Sequence, residues 1–543
     1  IHFAPLLHGQ WEFIYSWDDG TNFIQNSMIQ KLSLANVKLM CTAIKINVYE
    51  PLGWLLKAIL YTIFGLNSQS VRVSSCILHW VACGVWYNAL NQFFYQLHFD
   101  AKVFPIKDLR RGSFYAVLLY AVHPLHVEVI AWPSAQPYAL AMFFVSVMFW
   151  VHLQRNSVWL STVVYICAIM SKSIALFTPL GLVLLDLTIF VAKSEKKFSL
   201  KKVVLEYIAY GVVFVHMAYI TIIANHGGID ALSDTIYLTM PERIIKFFHV
   251  LLWHLGACFL PIGLRPHYRV DQEILVFTIP LVSCKAYSVV DRLFVVGCIW
   301  RTLMPKHRAS FGICVALFPW VFYLALLLPV AGIVQHGMVA LTADRYSYFA
   351  LLSLLPVAAI VLTRVSLYSS KMTFSVIMVA FVLANLSSKQ MYQWRAEEDL
   401  WKYSLRQDPE DWRILDQLAE FYLWRGRNEE ALPLMNQTLG NGPTKGFKAQ
   451  LFQAKQRILL KRVDEGCSIY TQLLDQYPQN SYLHNNIAVC HMYKGNAAAA
   501  INSWIDALRF ENDNKKASIP QKNLDRAYDY LTHSIAFNAQ LVW

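Results

Sequence analysis

Charge is what this sequence has least of. Only 15% of its 543 residues are Asp, Glu, Lys or Arg, against about 25% in soluble domains, while 56% are hydrophobic and 14% aromatic. That balance excludes a wholly soluble globular chain and leaves a polytopic membrane protein with a soluble part. Basic runs interleaved with aromatics are missing, so the net charge of +12 does not point to nucleic acid. Lys and Arg cluster instead in short loops between apolar segments, as orientation signals do. The ten cysteines form no CxxC pair and no metal-type spacing; most fall in apolar stretches and read as small core residues. The sequence starts at Ile1 rather than Met, so a signal peptide or first membrane helix is expected to precede it.

Against this apolar background stands Trp17-Asp18-Asp19-Gly20-Thr21-Asn22-Phe23, inside a mixed, polar segment covering residues 1–48. A pair of carboxylates needs water, a metal or a cation, because burial in hydrocarbon without a partner costs several kcal/mol. The pair is therefore expected at an aqueous face, although Asp-Asp-Gly-Thr-Asn is also ordinary turn chemistry. Residues 49–67 are apolar but interrupted and suit a short or interfacial helix. Membrane spans are expected near 72–94, 113–132, 138–153, 158–170, 173–190, 204–224, 311–334, 346–363 and 373–387. Breaks at Pro261, Arg265 to Arg269 and Pro280 blur the interval 242–300, and 158–170 with 173–190 could form a hairpin of short helices.

Four basic loops set an orientation. Lys102, Lys107, Arg110 and Arg111 form one, and Lys193, Lys196, Lys197, Lys201 and Lys202 another; Arg301, Lys306 and Arg308 form a third, and Arg364 and Lys371 a fourth. Placing these in the cytoplasm puts the acidic pair, 131–138, 171–173, 331–345 and the C-terminal part on the opposite side. The parity does not close over 225–300. N-x-S/T sequons at Asn385 and Asn436 fall on the same outer side.

After about residue 388 the composition turns soluble and a 34-residue period appears. Leu418, Ala419, Tyr422, Gly426, Ala431 and Pro443 fit a tetratricopeptide pattern. The spacing recurs at Ala454, Ile458, Cys467, Tyr470 and Pro478, then at Ile487, Ala488, Gly495, Ala500, Trp504 and Ala507. Trp394 to Pro409 reads as a preceding half repeat. Such arrays form a concave surface that takes an extended peptide or a partner protein; a purely structural cap on the membrane domain is the plainer reading. The expected class is mainly α: a multi-pass membrane domain over 1–387, then an α-solenoid over 388–543.

Several polar residues interrupt apolar chain on the side of the acidic pair: His123, His126 and Glu128 in AVHPLHVEVIAW, Lys172 in ICAIMSKSIALF, and Asp344-Arg345 at the head of DRYSYF. Pro124 should end or kink its helix there. One by one these read as snorkelling or paired helix-end residues. Taken together they suit a lipid-phosphate ligand, with cations on the phosphate and a carboxylate as base. Zinc held by His123, His126 and Asp19 is a weaker alternative.

FIYSWDDGTNFIQN resembles the first lumenal loop of the transmembrane and tetratricopeptide-repeat protein O-mannosyltransferases and their bacterial relatives. The same family is resembled by residues 49–67, by HPLHVEVIAW at 123–132 and by SKSIALFTPLGLVLLDL at 171–187. LLPVAGIVQHGMVALTADRYSYF at 327–349 and WRAEEDLWKYSLRQDP at 394–409 continue the likeness in the family's order. The resemblance implies a GT-C glycosyltransferase fold in the endoplasmic reticulum membrane, with acidic pair and repeats lumenal. It implies a lipid-linked donor, typically dolichyl-phosphate mannose, and Ser or Thr of a protein as acceptor, with no divalent metal expected. Asp18 or Asp19 would be the base, and Lys172, Arg345, His123 and His126 would hold the lipid phosphate, with Glu128 and Asp344 in support. The sequence departs from the family at Glu50, where Arg or His is frequent, at Gln136 and Tyr138, where charges are frequent, and at Ser173 after Lys172. A family member that has lost activity and docks complex subunits through its repeats is the rival reading; a transporter fits less well, since no paired inverted repeat is evident.

Overall fold

The structure is a computed structural model that describes residues 4–45, 48–97, 105–154, 157–192, 200–226, 238–270, 319–333, 340–368, 370–442, 447–511 and 518–533. The expected mainly α class is what the chain adopts: apart from an isolated bridge between Lys45 and Val48, the described residues are helical or irregular. After short helices at Ala4–Leu7 and Leu34–Thr42 come α1 (Pro51–Phe64), α2 (Ser68–Leu97) and α3 (Ile106–Ala121). α4 (Gln136–Gln154), α5 (Val158–Ser171), α6 (Thr178–Ala192), α7 (Leu200–His226) and α8 (Met240–Phe259) follow. α9 (Leu355–Tyr368), α10 (Ser370–Gln393) and α11 (Glu397–Gln407) close the first compact unit.

Five described helices are long and apolar enough to cross a membrane: Pro133–Gln154, Ser173–Phe190, Val204–Ala224, Asp344–Leu367 and Thr373–Gln393. α3 and Pro124–Ala131 make a sixth if they count as one span, bent by 54° at the expected proline break. α5 and α1 are shorter apolar helices. The expected span at 72–94 lies inside α2, which buries Arg72 and His79. Of the span expected at 311–334, residues 319–333 are described. The loop cations Lys102, Lys193, Lys196, Lys197, Arg301, Lys306 and Arg308, and much of 225–300, lie outside the described residues. Val212, Val215 and Ile222 on α7, and Phe374, Ile377 and Phe381 on α10, are exposed. Such apolar stripes would be an aggregation surface in water and are the ordinary outer face of a span in lipid.

Packing is tightest where small residues let helices touch. A Cβ on Gly112 of α3 would lie 2.0 Å from the Thr363 hydroxyl and 2.4 Å from the Ala359 carbonyl of α9, so only glycine permits that approach. At one end of α4, His152 accepts no apolar neighbour for either ring nitrogen. Nε2 meets Asp186 of α6 at 3.2 Å and Nδ1 meets Glu206 of α7 at 3.0 Å. Ser161, Tyr207 and Tyr210 donate further hydrogen bonds to these carboxylates, so one buried polar cluster ties four helices together.

The second unit runs from Asp408 to Trp543. The composition boundary near 388 falls inside α10, and α11, though polar outside, buries Leu400 and Trp401 in the first unit. Helix pairs follow: α12 (Trp412–Trp424) with α13 (Asn428–Asn441), α14 (Phe447–Leu459) with α15 (Val463–Gln476), α16 (Ser481–Tyr493) with α17 (Ala497–Arg509), then α18 (Ser518–His533). The small and aromatic residues picked out by the period are interior: Ala419, Ala431, Ala454, Tyr470, Ala488, Ala500, Trp504 and Ala507 are all buried. Pro443 lies outside the described residues. One expectation is corrected here. Cys467 and Cys490 are not merely small core residues but form a disulfide between α15 and α16. Both sequons lie within helices, with the Asn side chains exposed and the hydroxyls on main-chain oxygens: Ser387 on Val122 at 2.6 Å, Thr438 on Leu434 at 2.8 Å.

Candidate functional site

The acidic pair sits in a wide-turned helical segment, Tyr15–Ile24, that breaks in its middle. Asp18 takes φ 72° and ψ −20°, a left-handed conformation that costs a non-glycine residue about 1–2 kcal/mol. The break turns two sequence neighbours in opposite directions: Asp18 is exposed and Asp19 is fully buried. Asp19 Oδ2 accepts the Ile14 amide at 2.8 Å; Oδ1 accepts the Ser134 amide at 2.9 Å and hydroxyl at 2.5 Å. Burial pushes the Asp19 carboxyl up to about 7, against the opposing pull of Ser134, Arg72 and the Ile14 amide. Asp19 is thus an anchor that ties the loop to the 132–138 segment. Nearby, the Trp132 indole donates to the Trp17 carbonyl at 3.0 Å.

Two of the predicted cations face that same segment. Lys172, in the break after α5, forms an ion pair with Glu50 at the head of α1 and lies 5.0 Å from the Tyr138 ring centre. Arg345 opens a short helical turn; its Nη1 is 2.5 Å from Glu128, its own amide donates to the other Glu128 oxygen at 2.8 Å, and its guanidinium lies 5.3 Å from the Trp132 ring. Tyr138 is within electrostatic reach of Arg345 as well. Asp344 is buried and accepts from the Tyr268 hydroxyl at 2.7 Å. Trp132, Ser134 and Tyr138 therefore gather the acidic loop, Lys172 and Arg345 around one short stretch of chain.

Lys57 escaped the sequence reading. It is 1% exposed on α1, 4.1 Å from the Trp54 ring and 5.3 Å from Phe23, with Glu50, Lys172 and Asp19 within electrostatic reach. Burial brings its ammonium down to about 8 despite Glu50. Its one signal was a lone lysine in PLGWLLKAILYTIF, a pattern that a snorkelling residue shares. Arg72 was likewise unnoticed; it donates to the carbonyls of Glu12, Ser68, Ala131 and Trp394 and holds the walls of the loop together.

The histidines take a different position. His123 Nε2 meets the Cys258 carbonyl at 2.9 Å and its Nδ1 accepts the Leu125 amide; His126 Nδ1 meets the Tyr120 carbonyl at 2.8 Å. The His126 ring packs among Tyr120, His79 and Tyr348. Both satisfy main chain where the helix breaks at Pro124. Among the described residues no group of three or more His, Cys, Asp or Glu side chains that could hold a metal is found. An apolar cavity of about 80 Å³ walled by Trp86, Phe149, Leu184, Phe322 and Leu352 contains none of the site residues.

The fold and site define a multi-pass helical membrane protein with a buried polar centre under an acidic loop. No family model and no curated protein matches the chain. Among solved structures it is similar to ArnT from Cupriavidus metallidurans bound to undecaprenyl phosphate, at 15% identity and TM-score 0.31, over 80% of this chain and 70% of that one. It is similar also to the apo state of ArnT, at 15% identity and TM-score 0.31, over 82% and 73%.

Proposed function

We propose that this chain is a GT-C-type membrane glycosyltransferase that moves a sugar, mannose, from a lipid phosphate donor of the dolichyl type to Ser or Thr of proteins. The observation that carries the reading is the grouping of an acidic loop with Lys172 and Arg345 around 132–138, with Lys57 beside Phe23 of that loop. Asp18, the exposed member of the pair, takes the proton of the acceptor hydroxyl. The oxygen attacks the anomeric carbon, the bond from that carbon to the phosphate oxygen breaks, and the electron pair leaves with the lipid phosphate, inverting the carbon. The departing phosphate needs cations rather than a proton, which Lys172, Arg345 and Lys57 supply, with His123 and His126 ordering the helix break beside Glu128. The helix pairs of the second unit, read as tetratricopeptide repeats, present the acceptor polypeptide. The Cys467–Cys490 disulfide supports a lumenal, oxidising location in the endoplasmic reticulum for that unit.

One observation favours the inactive-scaffold reading: Lys172 and Arg345 already carry carboxylate partners, Glu50 and Glu128. The test is full-length protein in lipid nanodiscs with dolichyl-phosphate mannose and a Ser/Thr peptide. Asp18→Asn should lower transfer by about 10²-fold or more, the scale of a positioned base. Wild-type protein that transfers nothing, yet purifies with a stoichiometric partner, would establish the scaffold instead.

A further inference from the structure

The acidic loop is held from a second side by a residue far along the chain. Glu397, the first residue of α11, is 2% exposed. One carboxylate oxygen accepts the Tyr15 amide at 2.8 Å; the other accepts the Ser16 amide at 3.1 Å and the Ser16 hydroxyl. Three consecutive amides, Ile14, Tyr15 and Ser16, thus end on two carboxylates, Asp19 and Glu397, just before the left-handed Asp18. The rest of this stretch repeats the grip. Trp401 lies edge-on to Trp17 at 5.4 Å, Arg395 donates to the Gln10 carbonyl at 2.9 Å, and the Glu12 amide donates to the Arg395 carbonyl at 2.9 Å.

We infer that Glu397 is a positioning residue for the acidic loop: it fixes the backbone of Tyr15 and Ser16 so that Asp18 is presented to the acceptor hydroxyl. The strained backbone at Asp18 persists only because its surroundings over-determine it, and Glu397 supplies two of the fixed points. A charged acceptor for two adjacent amides cannot be replaced by glutamine, whose single carbonyl serves one while its amide group opposes the other. Since α11 leads directly into the helix pairs that start at Trp412, the device that sets the loop is also the last element before the second unit. The catalytic part of this inference rests on the transferase reading; the grip on the loop does not.

The experiment compares full-length Glu397→Gln with wild type and with Glu398→Gln, the neighbouring glutamate that pairs with Lys402 on the outer side of α11. Hydrogen–deuterium exchange over residues 12–20 should quicken at least about tenfold in Glu397→Gln and stay unchanged in Glu398→Gln. In the mannosyl-transfer assay, kcat of Glu397→Gln should fall roughly ten- to a hundredfold with the donor KM unchanged. Unaltered exchange over 12–20 in a folded Glu397→Gln overturns the inference, as does quickened exchange with full kcat. Should Glu397→Gln fail to fold, Glu397→Asp, which keeps the charge on a shorter arm, is to show intermediate exchange, and wild-type exchange there overturns it equally. Wild-type protein without transfer refutes the transferase reading and the catalytic role together, while the exchange measurement still decides whether Glu397 grips the loop.

Discussion

Two neighbouring aspartates with one side chain structure differ here in everything that matters for chemistry, and the difference is measurable. Asp19, pushed up to about 7 by burial, keeps its proton in the folded protein over a range where the unfolded chain, near 3.8, has lost it. The folded state therefore binds more protons between those values, and its stability is full below about 4 and falls as pH rises through 7, by up to a few kcal/mol. Thermal melts from pH 4.5 to 8 should show that decline in wild type and a flatter profile in Asp19→Asn, which is less stable throughout because its one carbonyl can serve either the Ile14 amide or Ser134 while its NH2 opposes the other. Lys57 carries the opposite sign. Burial lowers it to about 8, so stability should rise with pH through the window from 8 toward its ordinary 10.5. Lys57→Met removes the buried charge and keeps the apolar stem. It should melt higher at pH 7 while binding dolichyl phosphate at least about tenfold more weakly, a trade expected when a charge is kept for a ligand rather than for the fold.

At the scale of elements, the helix pairs of the second unit turn on residues with left-handed backbone at like places. Gly426 follows α12 at φ 73° and Gly495 follows α16 at φ 75°; after α14 the same place holds Lys461 at φ 63°. Nothing lies within 4 Å of a Cβ placed on either glycine, so conformation rather than space selects them. Lys461→Gly should relieve the strain and, after the entropy that glycine returns to the unfolded chain, stabilise the unit by about 0.5–1 kcal/mol. A denaturant midpoint that moves down instead would mean that the Lys461 side chain contributes more than its backbone costs. The first-unit helices show why their lengths were hard to assign from composition. α2 reads as a span of ordinary length, yet its buried Arg72 belongs to the walls of the acidic loop, so the helix continues beyond any apolar stretch.

For the whole molecule, compartment is the property most open to test. A disulfide between Cys467 and Cys490 is stable only where the surroundings oxidise. In permeabilised cells kept oxidising, maleimide should modify neither cysteine until a reductant is added. Labelling of both without reductant would place the second unit in the cytoplasm and reverse the orientation drawn from the basic loops.

The sequence alone determined that this protein is mainly helical with several membrane-length apolar segments, because hydropathy is a local, additive property of the chain. Pro124 fixed the break in the α3 segment for a similarly local reason: its ring and missing N–H act on adjacent turns. The acidic pair was legible as adjacent carboxylates in a polar segment, and Lys172 and Arg345 as polar residues stranded in apolar chain. What only the tertiary structure decided is how such residues are spent. Asp18 and Asp19 read alike until Ser134, 115 residues away, claims one of them. His123 and His126 look like ligands until the carbonyls of Cys258 on α8 and Tyr120 beside the helix break each take a ring nitrogen. Glu397 looks like one more acid on a solvent-facing helix until the amides of Tyr15 and Ser16 arrive from 382 and 381 residues away. Burial and hydrogen bonding are non-local: a side chain's charge state depends on which segments the fold brings against it, and no period or neighbour in the sequence encodes that meeting.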